Sequence, residues 1–441
     1  MTGTTQSEVI TLFEDNTTLL RDYSDHIRNL NVLRDIVEPR HFSLQTDGSF
    51  RIMHYVGFFQ RGKTRVQILP KVFQGVVDPQ LERQKGLEFI FRLLHWSGFL
   101  KYKNLDTQQI GTAEADIVEI LISLFINEFN NLFRRKIFRK YEEIIEPQQF
   151  IKGKILFADT FRANPILHHI HVVKFDEYSI NNPLNRIFKT LLSQLSTKTN
   201  SKDNKMKIAQ GLTYLQDVDT INLSTESFNG IKFNRLNTEF EPLFNLARLF
   251  FYNQQPGLNM GQEKTFSFLI PLNQLFEHFI GKVLLNLSDP SFTFHFQKNR
   301  IHLLSTSSGN ESLLKPDYSV THVTQAETIV SIIDAKYKSP FAPNGKVDLK
   351  ESDIYQMCTY ALRYNVKNLI LIYPKLLNTK YPNSLLENYT INSGLGHINL
   401  KAIQVDLFEN SLTEISTALK QEVYPKPAIS ISTPINFQRT L

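Results

Sequence analysis

Apolar residues fall in strand-like bursts near both ends of this chain and at helical spacing between them. Arg51–Phe59 and Thr64–Lys71 flank a turn at Arg61-Gly62-Lys63. The second run alternates apolar with polar as a half-buried strand does, so residues 42–73 are expected to be β structure. Residues 79–100 and 113–142 carry apolar faces at helical spacing and predict two helices, while residues 145–180 read as mixed. Pro183–Leu195 predicts a helix opened by its first-turn proline. Ser196–Lys205 is polar throughout and predicts a loop, residues 238–252 return to helical spacing, and Asn253-Gln254-Gln255-Pro256-Gly257 predicts a linker. Beyond it, Leu272–Leu284 is an amphipathic helix, and Leu313-Leu314 and Ile329–Ile333 are strand-like. Lys350–Tyr364 predicts a helix with Ile354, Met357, Ala361 and Tyr364 on one face. Asn368–Tyr373 predicts a buried strand stopped by Pro374. The tail after Tyr424 holds three prolines and is expected to be irregular. The expected class is α/β, with an α+β N-terminal part and a C-terminal mixed sheet flanked by helices. The expected domains are 1–150, 151–255 and 256–441.

A chain of 441 residues is long enough for two or three domains. Its 41% hydrophobic and 12% aromatic content fits folded material, and no run approaches the eighteen or so apolar residues of a membrane helix. Met1-Thr2-Gly3-Thr4-Thr5-Gln6 lacks a signal-peptide pattern. A single cysteine, Cys358, excludes internal disulfides and cysteine-rich metal clusters. A reducing cytoplasm is therefore the expected setting, without a membrane. The net charge of +6 permits nucleic-acid binding without requiring it. Phe133–Tyr141 interleaves Arg134, Arg135, Lys136, Arg139 and Lys140 with aromatics. That composition suits a phosphate-contacting helix and equally an ordinary solvated one.

Gly57–Thr64 matches the phosphate-loop pattern G-x-x-x-x-G-K-[ST] letter for letter. The motif works by wrapping backbone amides around phosphate at the start of a helix. Here an alternating strand follows and bulky Phe58 and Phe59 fill the loop positions, so strands are expected and a nucleotide site is not. His168-His169-Ile170-His171 has no companion Cys, Asp or Glu at metal-ligand spacing and reads as ordinary strand or loop histidines.

Two strings carry the chemistry: Lys315-Pro316-Asp317 and Asp334-Ala335-Lys336. If the polar stretch Thr324–Thr328 is the turn of an antiparallel hairpin, Asp317 and Asp334 lie opposite one another with Cβ atoms roughly 5 Å apart. Lys336, two residues beyond Asp334, projects from the same face. Close carboxylates repel, and Mg²⁺ relieves the conflict because it takes one or two carboxylates together with water and phosphate oxygens. A metal so held activates water and neutralises phosphoryl charge, and a lysine beside it positions or deprotonates that water. The set suits phosphodiester hydrolysis; the plain alternative is an ion pair at a strand end.

The order of helix, strands, helix and strand over roughly Leu269–Leu407 resembles the PD-(D/E)xK nuclease superfamily, in the branch whose second helix carries Q-x-x-x-Y. That resemblance implies metal ligands at Asp317 and Asp334, a catalytic lysine at Lys336 and an acidic first-helix residue at Glu277. It also implies active-site or DNA-backbone support from Gln356 and Tyr360, which are four apart on one helix face. Iron–sulfur relatives need four cysteine ligands and are excluded.

The N-terminal half narrows the resemblance. Tyr55-Val56-Gly57, Val66–Val72, Phe175–Ser179 and Asn182–Lys189, taken with the acidic strings, look like the McrC family. Membership implies the endonuclease subunit of a GTP-dependent, modification-dependent restriction system, with Mg²⁺ as cofactor. It implies a McrB-like AAA+ GTPase hexamer that binds the GTP, and double-stranded DNA bearing modified cytosine. The N-terminal half would engage and stimulate the ring while the C-terminal half cuts; residues 196–236 have the look of an insertion. Two alternatives stay open: a non-cleaving activator of an AAA+ ring, and a stand-alone repair-type nuclease.

Overall fold

The structure is a computed structural model. It describes residues 9–19, 30–31, 33–37, 39–45, 47–61, 64–70, 79–98, 117–163, 169–255, 265–287, 289–298, 300–307, 309–323, 328–375, 381–393, 396–407 and 411–424. The expected turn at Gly62-Lys63, the centre of the Thr324–Thr328 turn and the tail beyond Tyr424 lie outside the described residues. The chain forms two compact units, Met1–Pro271 and Leu272–Leu441. The boundary falls later than the expected 255/256, and residues 1–150 and 151–255 share the first unit.

The first unit is built on a five-stranded sheet in which strand β1 (Val9–Phe13) runs parallel to β6 (Thr64–Leu69) and β5 (Tyr55–Arg61) runs antiparallel to β6. The late strand β11 (Thr265–Pro271) returns to pair with β5, and β10 (Gln254–Gln255) closes the edge. This pairing carries the first unit past the expected linker. Gly57 explains itself here: its φ is +136°, and a Cβ would stand 2.0 Å from the carbonyl oxygen of Phe268 in β11. A small sheet, β2 (Thr18–Leu19), β4 (Ser49–Ile52) and β3 (Phe42–Leu44), adds Phe42, Phe50 and Ile52 to a core shared with Ile10, Leu12, Phe59, Val66 and Ile68. The short helix α1 (Leu33–Ile36) contributes Leu33.

Helices α2 (Pro79–Trp96), α3 (Ile117–Arg135), α5 (Pro183–Ser196), α6 (Lys202–Tyr214), α7 (Thr225–Asn229) and α8 (Glu241–Asn253) complete the unit's helical part. Many of the chain's 34 phenylalanines meet there. Phe129 stacks on Phe133 at 4.1 Å between centroids, Phe188 and Phe240 meet this pair edge-on, and Phe250 meets the neighbouring Phe125 edge-on. The helix expected over 113–142 stops at Arg135, and Lys140–Gln148 is strand β7. Two buried asparagines give the reason. Asn182 and Asn185 both donate their Nδ2 hydrogens to the carbonyl of Phe138, at 3.2 and 2.8 Å, and pin it outside any helix. Asn182 also caps α5 by accepting from the Asn185 amide. The stretch Ser196–Lys205 is only partly loop, because Ser201 caps α6 and Glu119 gathers Thr199, Asn200 and Asn204 around its carboxylate. Strand β7 pairs with β9 (His171–Ser179), which pairs with β8 (Lys154–Ile155), and α4 (Phe157–Ala163) lies against β9.

The second unit opens with α9 (Leu272–Leu285). Its six-stranded mixed sheet has the order β12 (Phe292–Phe296), β15 (Tyr318–His322), β16 (Ile329–Ala335), β17 (Asn368–Pro374), β19 (Gly396–Val405), β18 (Leu385–Ser393). The first three strands are antiparallel, β16–β17–β19 are parallel, and β18 returns antiparallel. Ile332, Leu369 and Leu371 pack with Met357, Tyr360 and Ala361 of helix α10 (Glu351–Tyr364). Alternation sends Ile333, Ile370 and Ile372 to the other face, where they are buried. Helix α9 meets the sheet from that side, since Tyr318, which pairs with Ile333, reaches Gly281. Helix α11 (Leu412–Val423) packs on α9, with Ser416 donating to the carbonyl of Val283 at 3.1 Å. The hairpin β13 (Ile301–Thr306) and β14 (Gly309–Leu314) is tied to α10 by Arg363 Nε donating to the carbonyl of His302 at 2.9 Å. Among the described residues no helix is long and apolar enough to cross a membrane.

Candidate active site

Strands β15 and β16 pair Tyr318 with Ile333 and Ser319 with Ile332. One step further in this register sets Asp317 opposite Asp334, the relationship the sequence spacing anticipates. The Ala335 amide donates to Asp317 Oδ2 at 2.8 Å and fixes that carboxylate at the strand end. Asp334 is only 2% exposed, and Lys336 Nζ stands 2.5 Å from its Oδ2. The Lys336 amide donates to the carbonyl of Ile372 at 2.8 Å, which holds the residues after β16 against β17.

Helix α10 supplies the next link. Lys336 Nζ donates to Gln356 Oε1 at 2.8 Å, and Gln356 Nε2 donates to the Tyr360 hydroxyl at 2.9 Å. The Tyr360 hydroxyl in turn donates to the carbonyl of Lys315 at 3.2 Å. The i, i+4 spacing of Gln356 and Tyr360 is what lines them up. Glu277 arrives from α9. Gln297 donates to its carboxylate, and the Tyr318 hydroxyl donates to its backbone carbonyl. Its carboxylate also acts on Asp317 electrostatically. All six candidate residues therefore converge on one end of the sheet.

Electrostatics follows from burial. Desolvation, then the charges of Asp334 and Glu277, push the Asp317 carboxyl up to about 9, against the pull of the Ala335 amide. Burial also raises Asp334, with Lys336 opposing. Burial works against the Lys336 charge, but Asp334, Asp353 and Asp317 outweigh it and raise the amine above its ordinary value. These neighbours favour the charged form of Lys336. Two buried carboxylates in mutual repulsion fit a hard divalent cation. Among the described residues no group of three or more His, Cys, Asp and Glu side chains is arranged to hold a metal. A cation held by this pair would have to take two carboxylates and complete its shell with other oxygens.

Sequence reasoning missed two contributors. Lys338 Nζ stands 2.5 Å from Oδ2 of the buried Asp353, in the first turn of α10, and Asp353 acts on both Asp334 and Lys336. The alternation of Lys336 with Lys338 was the available signal. Gln297 bridges the site, its side chain on Glu277 and its amide on the Asp317 carbonyl at 2.9 Å. No local pattern marks it.

The other motifs lie outside this cluster. Gly57 and Thr64 belong to consecutive strands β5 and β6, with no helix directly following. His169 is exposed and His171 opens β9; His168 is outside the described residues. Cys358 is half-buried in α10, and burial raises its thiol.

A family model described as McrBC 5-methylcytosine restriction system component matches residues 50–374. A curated relative, the type IV methyl-directed restriction enzyme EcoKMcrBC of Escherichia coli strain K12, is 25% identical over 284 residues, covering 61% of this chain and 79% of the relative. A chain from the refined half-complex of the tetradecameric assembly of Thermococcus gammatolerans McrB AAA+ hexamers with bound McrC matches with a TM-score of 0.65. It is 21% identical, covers 94% of this chain and 99% of that one, and the likeness is one of fold. The cryo-EM structure of the Thermococcus gammatolerans McrBC complex gives a TM-score of 0.48 at 24% identity, over 64% and 89% of the two chains.

Proposed function

The chain belongs to the family of McrBC 5-methylcytosine restriction system components, and from that membership we propose that it is the DNA-cutting subunit of such a system. The second unit is read as a PD-(D/E)xK-type nuclease domain. A mixed sheet with helices on both faces, and carboxylates at facing strand ends, support this reading. The carrying observation is the Asp317–Asp334 pair with Lys336 fixed between Asp334 and Gln356.

Asp317 and Asp334 would hold Mg²⁺, which when bound would supply an activated water and counter-charge for a phosphoryl group. The protein's own side chains do the rest. The Lys336 ammonium faces charge that builds on the scissile phosphate. Gln356 sets where that ammonium stands, and Tyr360 sets Gln356. Glu277, through Asp317 and Gln297, keeps the first carboxylate in place. The substrate is duplex DNA carrying modified cytosine, as the relatives' names suggest.

The partner is a McrB-like AAA+ hexamer that binds and hydrolyses GTP, engaged by the first unit. Exposed apolar side chains on that unit suit such a contact: Phe150, Ile151, Phe157 and Phe161 around the β7–β9 ribbon are each more than 60% exposed. With the partner ring, GTP, Mg²⁺ and methylated DNA, the wild-type chain is expected to cut. Asp334→Asn should abolish cutting and leave stimulation of GTP hydrolysis intact. Undiminished cutting by the variant would overturn the site. A wild-type chain that stimulates GTP hydrolysis without ever nicking DNA would instead be a non-cleaving activator, and cutting without ring or GTP would make it a stand-alone nuclease.

A further inference from the structure

The basic run that follows α3 does not form a solvated helix face. Residues 136–139 leave the helix and, with β7, line a cavity of about 860 Å³ in the first unit. That lies within the roughly 300–1,000 Å³ range of small-molecule sites. Four cations line it, Lys136, Arg139, Lys140 and Lys232, and no carboxylate residue does. Lys136 is partnered by Glu239 at 2.7 Å and Lys140 by Glu142 at 3.3 Å. Arg139 and Lys232 have no ion-pair partner among the described residues. Tyr141 and Tyr178, opposite one another in the β7–β9 pairing, form part of the same wall with ring centroids 5.1 Å apart. They are 68% and 56% exposed.

Exposed tyrosine faces are costly to leave in water, and uncompensated cations call for an anion. Together they match an anion with a flat apolar body. We propose that this cavity binds an unpaired nucleotide, its base stacked on Tyr141 and Tyr178 and its phosphate held by Arg139 and Lys232. Duplex DNA keeps its bases stacked inside the helix and offers none to such a wall, whereas a single strand offers one at every step. The strand is therefore the favoured source, and a free nucleoside triphosphate the other. The site is independent of the Asp317–Asp334 centre, so its failure and the failure of the nuclease reading are separable.

The test uses the full chain in EDTA, where no cutting occurs. Binding of fluorescein-labelled oligothymidylate is followed by fluorescence anisotropy over a range of salt. Arg139→Ala with Lys232→Ala is expected to weaken binding about tenfold and to reduce the slope of log affinity against log salt by about 0.7 for each lost phosphate contact. Tyr141→Leu with Tyr178→Leu is expected to weaken it about tenfold with the slope unchanged. All four side chains are exposed, and an unaltered melting temperature checks that the variants fold. An oligonucleotide carrying 5-iododeoxyuridine should crosslink to a peptide containing Tyr141 or Tyr178. Loss confined to GTP or dTTP binding would keep the site and assign it to free nucleotide. Unchanged binding of all probes together with no crosslink there overturns the proposal. So does a loss of ring stimulation by these variants with all nucleotide binding intact, which would make the cavity a protein interface.

Discussion

Lys336 reaches from the end of β16 to the side-chain carbonyl of Gln356 in α10, at 2.8 Å. A flexible ammonium becomes a fixed one through this bond, since Gln356 is itself tethered to Tyr360 and Tyr360 to the backbone at Lys315. Removing the amide should cost rate more than metal affinity. Gln356→Ala is expected to slow cutting about tenfold, ~1.4 kcal/mol of transition-state stabilisation, with the Mg²⁺ dependence little changed. Tyr360→Phe should act in the same direction and more weakly. Cutting rates at saturating and limiting Mg²⁺ separate the two effects.

The metal-free protein should lose stability as pH rises. Asp317, held up to about 9 by burial and by Asp334 and Glu277, prefers its protonated form in the folded state. Its contribution is full below the ordinary carboxylate range near 4 and disappears as pH climbs through about 9, because the folded chain there binds the extra proton. Melting temperatures measured in EDTA across this window should fall with pH. Excess Mg²⁺, or Asp317→Asn, should flatten the trend.

Gly57→Ala is expected to cost about 3 kcal/mol or more, because the new methyl would strike the Phe268 carbonyl and force β5 away from β11. Denaturant unfolding reads this directly. The loss is one of strand packing, so GTP or ATP should stabilise the variant no more than it stabilises the wild-type chain.

Asn185→Leu removes two buried hydrogen bonds, to the carbonyls of Phe138 and Ile180, each at 2.8 Å. Both carbonyls keep a bond from Asn182, so the loss is that of two hydrogen bonds, about 1–3 kcal/mol of stability. Asn182→Ala should cost as much and loosen the start of α5, whose cap it supplies. Equilibrium unfolding of both variants tests this, and the metal dependence of cutting should not move.

The centre was legible because its parts follow local rules. A hairpin's register fixes which residues face each other, so the facing of Asp317 and Asp334 could be read from their distances to the turn. Alternation carried Lys336 and helical spacing carried Gln356 with Tyr360. Asp353 and Gln297 escaped because only the tertiary fold brings them near. The same holds for the end of α3: the periodicity runs on through residue 142, and what breaks it is a pair of asparagines more than forty residues downstream. The polar stretch before Lys205 misled for another reason, since its Ser201 is the N-cap of α6, a residue whose polarity starts a helix as readily as it marks a loop. The McrC-like strings Gly57 and Asn182–Asn185 turn out to hold the fold together.

Strand β11 joins its neighbour across more than 200 residues of sequence. During synthesis β5 must therefore wait, its hydrogen-bonding edge bare, until the ribosome has released residue 271, a delay of about 10–40 s at common elongation speeds. A fragment ended at residue 255 would keep that edge permanently uncovered and tend to stick to itself, whereas one ended at 271 would not.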